Sequence, residues 1–97
     1  MLVRRVEVVG ASMEPTLVAG ERVVAVRRYR RLRPGDVVMV RDPREPTRWI
    51  LKRCTEISRG DVTLLGDNEV FSTDSRTFGT VRAARIHWLV VGARARE

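Results

Sequence analysis

The sequence predicts a mainly β fold, a small antiparallel barrel or sandwich with little helix, and three observations carry that expectation. Short β-branched segments alternate along the chain with a period of two. Clusters of Gly, Pro, Asp and Ser separate them at close spacing. The chain has 97 residues, of which 43% are apolar. That supports one thin core, because a domain this short buries a smaller share of its surface than a large one.

Taken in order, Val3 to Val9 sets Arg4, Val6 and Val8 against Arg5, Glu7 and Val9 and reads as a strand. Gly10 to Pro15 breaks it, and Pro15 stiffens the break by fixing its own φ and steering Glu14 away from helical angles. A single helical turn fits Pro15 to Val18. Arg22 to Arg27 is the second strand. Arg33-Pro34-Gly35-Asp36 has Pro and Gly where a type II turn wants them. Val37 to Arg41 is almost wholly apolar, so a strand there is buried on both faces. Asp42 to Pro46 reads as a loop. Trp49 to Ile57 and Val62 to Leu65 are strands joined by a hairpin through Ser58-Arg59-Gly60-Asp61. Gly66 to Gly79 is too polar and turn-rich for a regular element. One helical turn over Ala83 to Arg85 precedes a last strand, Ile86 to Val91, and the tail 93–97 is expected to fray.

Composition removes several classes of protein. The longest uncharged stretch runs from Ile86 to Ala93, far short of the ~20 apolar residues of a membrane span. The expectation is therefore no transmembrane segment and no secretory signal peptide, a single domain over 1–97, and a cytoplasmic location with which peripheral membrane contact is compatible. A lone cysteine, Cys54, leaves no intramolecular disulfide and no multi-cysteine zinc site. Of the 19 basic residues all but Lys52 are arginine, against 12 acidic ones. A compositional bias toward arginine explains the count. It also singles out position 52, because burial can bring a lysine toward neutrality whereas guanidinium stays charged.

Two polar islands interrupt the apolar scaffold. Ser12 stands in a small-residue turn after a strand, where serine is ordinarily a turn former. The segment Gly66 to Gly79 is long enough to be functional. Phe71 and Phe78 are expected to pin it to the body, Asp74 and Arg76 are placed to pair, and Asp67, Asn68 and Ser72 to tie its backbone together. Lys52 is the third element. On a strand from Trp49 to Ile57, Ile50, Lys52 and Cys54 share a face. An ammonium between Ile and Cys is poorly solvated, and desolvation lowers its pKa. A lysine so neutralised can take a proton from a serine hydroxyl. Spacing alone favours the plainer reading, a lysine at a sheet edge with its head in water.

Four segments in this order resemble the sequence boxes of the type I signal peptidases and their relatives, serine peptidases with a Ser-Lys dyad. They are Gly10-Ala11-Ser12-Met13-Glu14-Pro15-Thr16-Leu17, Arg33-Pro34-Gly35-Asp36-Val37-Val38, Lys52-Arg53-Cys54, and Gly66-Asp67-Asn68 with Ser72-Thr73-Asp74-Ser75-Arg76 and Gly79. Together they cover roughly residues 6 to 91. The resemblance implies the β fold of that catalytic core, with Ser12 as nucleophile and Lys52 as general base. It implies that Ser72 orients the lysine amine, that Asp74 and Arg76 form a structural ion pair, and that Met13 packs beneath the nucleophile. The Ser12 backbone N–H becomes an oxyanion donor. Gly10 stands where some relatives carry a serine that completes the oxyanion hole, and such a donor is worth about 10²–10³ in rate where it is used.

The membrane anchor and large inserted β-domain usual in signal peptidases are not seen in this sequence. The short members it looks most like are the nickel-type superoxide dismutase maturation proteases, which remove an N-terminal extension from a precursor. The implied partner is a protein precursor bound as an extended strand, and no metal or cofactor is needed. His87, the only histidine, lies far from the boxes and has no role in this scheme.

Other features of the sequence suit other classes of protein. Arg27-Arg28-Tyr29-Arg30-Arg31-Leu32-Arg33 carries five arginines and one aromatic, a pattern that can bind nucleic acid or an anionic membrane. Arginine is spread over the whole chain, so the run reads as a solvated connection and nucleic acid is not an expected partner. A self-cleaving repressor domain uses similar chemistry but needs a DNA-binding domain and a cleavable linker. An ordinary signal peptidase acting at a membrane surface is the remaining alternative.

Overall fold

A computed structural model describes residues 2–92, so the expected fraying of 93–97 lies outside the described residues. Seven strands form one antiparallel sheet in the order β1-β2-β7-β3-β4-β5-β6. They are β1 (Val3–Glu7), β2 (Arg22–Arg27), β3 (Val37–Asp42), β4 (Glu45–Ser58), β5 (Asp61–Leu65), β6 (Val81–Arg82) and β7 (Trp88–Val91). Among the described residues, helix is confined to α1 (Ser75–Phe78) and to 3₁₀ turns at Glu69–Phe71 and Ala83–Arg85. The mainly β expectation holds. No helix among the described residues is long and apolar enough to cross a membrane.

Alternation along β3 organises the core, since its side chains serve both faces of the sheet. Val37 and Met39 join Val8, Met13, Leu17, Ala25, Trp88 and Val90 on one face. Val38 and Val40 join Val26, Cys54, Val62, Leu64, Ile86 and Leu89 on the other. β1 and the turn after it cover the first face, and β5 and β6 cover the second. Pairing of β1 with β2 runs past Glu7: Val8 N–H donates to the Glu21 carbonyl at 2.8 Å and Gly20 N–H to the Val8 carbonyl at 2.9 Å. Stacked cations bridge strands on one side of the molecule. Arg41 lies over the Trp49 ring at 4.4 Å, and Arg4 over both Trp49 at 5.6 Å and Trp88 at 5.0 Å. Arg4 thereby links β1 to β4, strands that are not neighbours in the sheet.

The structure departs from the sequence expectations at several places. Residues 42–46 are not a loop: Pro43 and Arg44 make a two-residue turn, and β4 begins at Glu45 opposite Asp42. Pro46 is tolerated because the register of β4 against β3 shifts between Glu45 and Trp49, leaving 46–48 unpaired, so its missing N–H interrupts no ladder bond. In Gly66 to Gly79, Asp74 caps a helical turn by accepting from Arg76 N–H at 3.1 Å. Phe78 packs against the core, but Phe71 does not pin the loop, being 68% exposed. The two-residue β6 has too little pattern to read, and β7 starts at Trp88 instead of Ile86. The arginine-rich connection is anchored, since Leu32 is buried and Arg30 forms an ion pair with Asp36 at 2.9 Å.

Candidate active site

Two open sheet edges face one another across a cleft of about 450 Å³. One wall is the end of β1 and the chain after it, Val6 to Met13; the other is Arg48 to Lys52 of β4. β1 pairs with β2 alone, and β4 before Arg53 pairs with β3 alone, so the backbones of both walls are free for a further strand. Phe71 and Thr73 border the same space.

Ser12 reaches the cleft because the Gly10–Pro15 break leaves the strand abruptly. Gly10 has φ 79°, a conformation that L side chains rarely adopt, while a Cβ there would meet nothing within 4 Å. Backbone conformation, not crowding, is what favours glycine at this position. The turn continues through a cis Glu14-Pro15 bond, and Leu17 N–H donates to the Met13 carbonyl at 2.9 Å. Met13 and Leu17 are buried below it, which leaves Ser12 half-buried at the cleft surface.

Lys52 comes from the opposite wall. Ile50 and Cys54 pack in the same core cluster, and Lys52 between them is 4% exposed. Its amine makes no hydrogen bond or ion pair among the described residues, and it lines the cleft with Ser12. Burial pushes the Lys52 pKa below its ordinary value; Asp74 and Asp42 act to raise it, and Arg48 and Arg76 act with burial. Burial likewise pushes the Cys54 thiol up, to about 11.

Behind the cleft, Gly66 lets three segments meet. A Cβ at Gly66 would come within 2.5 Å of Ser72 Cβ and 2.7 Å of the Ser12 carbonyl oxygen. Asn68 N–H donates to that same carbonyl at 2.8 Å. Asp74 collects the hydrogen bonds of this region: Gly66 N–H at 3.0 Å, Ser72 Oγ at 2.9 Å, Arg76 Nε at 3.0 Å and Arg76 Nη2 at 2.6 Å. Burial alone would raise the Asp74 pKa, but the hydrogen bonds from Arg76, Gly66 and Ser72 outweigh it and hold the carboxyl well below the usual range. The expected Asp74–Arg76 pair is therefore present. Ser72 spends its proton on Asp74.

Sequence reasoning missed three things. The first is the ion pair of Arg53 with Asp67, at 2.7 Å between Nη2 and Oδ2 and 3.1 Å between Nε and Oδ1. Asp67 also accepts from Thr16 Oγ1 at 2.5 Å, and Arg53 Nη1 donates to the Gly35 carbonyl at 2.7 Å. Asp67 was read as a tie within its own loop, yet it fastens that loop to β4 and to the Ser12 turn. Adjacent placement of Arg53 and Lys52 was the one available signal, since neighbours on a strand face opposite ways. The second and third are Asp42 and Arg48, which line the cleft beyond Ile50 and belong to no recognised box. His87 lies outside the cleft, its carbonyl accepting from Arg28 N–H.

Known proteins resemble this chain in sequence. Residues 1–57 match the family described as signal peptidase, peptidase S26. The mitochondrial ATP-independent inner membrane protease subunit 1a of Arabidopsis thaliana is 35% identical over 98 residues, covering 74% of this chain. The chain spans 58% of that relative's length. It belongs to the signal peptidase S26 family.

Proposed function

We propose that this member of the S26 family is a serine endopeptidase in which Ser12 Oγ is the nucleophile and Lys52 Nζ the general base. The observation that carries the reading is the convergence on one cleft of Ser12 and a buried lysine that makes no ion pair among the described residues, from elements forty residues apart in the chain. A substrate segment lies extended between the open edges of β1 and β4 and completes their hydrogen bonding. Neutral Lys52 accepts the Ser12 proton as Oγ attacks the scissile carbonyl, and the Ser12 N–H donates to the oxyanion that forms. The lysinium returns the proton to the leaving amine, and water then resolves the acyl-enzyme. Ser72 has donated its hydrogen to Asp74, so its lone pairs are left to accept from the lysine amine and aim it. Asp74 and Arg76 hold Ser72 in place, and Met13 supports the turn from below.

The substrate we assign is a precursor whose N-terminal extension is removed, a nickel superoxide dismutase precursor in the first instance, with cleavage in the cytoplasm. The form of the last box, Ser72-Thr73-Asp74-Ser75-Arg76-Thr77-Phe78-Gly79, supports that choice. The name of the Arabidopsis relative favours a second reading, cleavage of precursors at a membrane.

One experiment addresses both. The protein is incubated with each kind of precursor, the second presented on vesicles, and the new N-terminus is sequenced. Ser12→Ala and Lys52→Arg should each abolish cleavage, by ~10⁴-fold or more, with the fold retained. The arginine variant keeps the charge and removes the titratable amine. Activity should rise with pH as Lys52 deprotonates, with a midpoint below the ordinary lysine value. Retained cleavage by Lys52→Arg would end the dyad assignment.

A further inference from the structure

The β4 wall of the cleft changes character along its length. Ile50 and Lys52 share a face by the two-residue period of a strand, and Arg48 lines the same cleft just before the regular pairing begins. Near Lys52 the cleft is apolar, lined by Ile50, Leu51, Met39 and Val8. Farther along it is basic, lined by Arg44 and Arg48. Arg48 stands four residues before Lys52, in the stretch 46–48 left unpaired where the register of β4 against β3 shifts.

These two arginines are in different situations. Arg44 is engaged by buried Asp42, which accepts from Arg44 N–H at 2.9 Å and from Arg44 Nη2 at 3.5 Å. Arg48 makes no hydrogen bond, ion pair or ring contact among the described residues; Asp42 and Lys52 feel its charge only through space. The remaining carboxylate of the cleft, Glu7, stands on the β1 wall. A substrate lying along β4 therefore passes an apolar subsite and then an exposed guanidinium with open donors. A guanidinium recognises a carboxylate through paired N–H donors.

We infer that Arg48 is a specificity-determining residue that binds an acidic side chain of the substrate away from the scissile bond, toward the start of β4. This rests on the peptidase reading above and adds the charge of the substrate to it. Substrate charge there is read by one residue, whereas the positions nearest Ser12 meet apolar surface. An ion pair in a half-open cleft is worth about 3- to 10-fold in affinity.

Binding, measured apart from cleavage, tests this. Fluorescent peptides with an alanine-rich centre carry a single Glu moved residue by residue outward from the centre on either side, each matched by a Gln peptide. Affinities are measured on Ser12→Ala and on Ser12→Ala with Arg48→Glu. The inference expects one register at which Glu binds 3- to 10-fold more tightly than Gln, a preference that Arg48→Glu inverts and 0.5 M salt weakens. The ratio within each protein is the readout, so any effect of Arg48 on Lys52 cancels. Equal affinities at every register, or a Glu preference that survives Arg48→Glu, would overturn it. Failure of the parent reading looks different: the wild-type protein would bind the preferred peptide and leave it uncut.

Discussion

Of the aspartate–arginine pairs around the Ser12–Lys52 cleft, Arg53–Asp67 and Arg76–Asp74 differ in what surrounds the arginine. Arg53 and Asp67 are 3% and 5% exposed, and their bonds join β4, the turn carrying Ser12 and the segment after β5. In the second pair Asp74 is fully buried while the Arg76 side chain is 44% exposed. Asp74 also accepts from the backbone of Gly66 and from Ser72, so its charge is met by several donors. The first pair is a clasp between elements distant in sequence. The second is a local knot that water can help to satisfy. Contact distance is nearly the same in both, so burial and connectivity decide what each contributes.

Substitutions can break that contrast, and the largest effect belongs to the clasp. Arg53→Met or Asp67→Asn strands a buried charge and should cost about 3–5 kcal/mol in urea unfolding. The double variant Arg53→Met/Asp67→Leu should recover much of that loss, because no unpaired charge remains. Asp74→Asn keeps the shape of the knot and loses its charge-assisted bonds. A smaller cost of about 1–3 kcal/mol is expected, read by the same unfolding curves. Arg76→Ala should cost less than Asp74→Asn, since the backbone and Ser72 donors to Asp74 remain.

Acid sharpens the comparison further. The folded Asp74 carboxyl lies well below the ordinary value of ~3.9. Its contribution is thus complete above the unfolded pKa and is lost as pH falls through that value toward the folded one. The stability gap between wild type and Asp74→Asn should be constant near neutrality and close as pH drops below about 4. A gap that persists into strong acid would mean that packing, not ionisation, sets it. The smallest effect is expected at Arg82–Asp61, whose side chains are 60% and 47% exposed. There Asp61→Asn should change stability by no more than about 1 kcal/mol.

The same distinction between local and long-range physics explains what the sequence revealed. β2, β3 and the Arg59–Gly60 hairpin were legible because alternation and turn chemistry are written within a few residues; Arg59 and Gly60 both adopt positive φ, as a tight hairpin turn requires. The start of β4 was not, because two prolines signal a loop, and only the register shift that leaves 46–48 unpaired makes Pro46 acceptable in a strand. Of the site, Ser12, Lys52, Ser72, Asp74 and Arg76 were named from recognisable boxes. The partner of Asp67 was out of reach, since only folding brings Arg53 and Thr16 to it. Arg48 gave no signal at all: one exposed arginine among eighteen has nothing in its neighbours to mark it.

The ladder of Arg41, Trp49, Arg4 and Trp88 gives the molecule an optical property as well. Both indoles of the chain belong to it, and one of them, Trp49, forms part of the cleft wall. Replacing Trp88 by phenylalanine leaves a single emitter beside the space that a bound peptide fills. Occupancy can then be followed in real time from intrinsic fluorescence, with no dye on either partner.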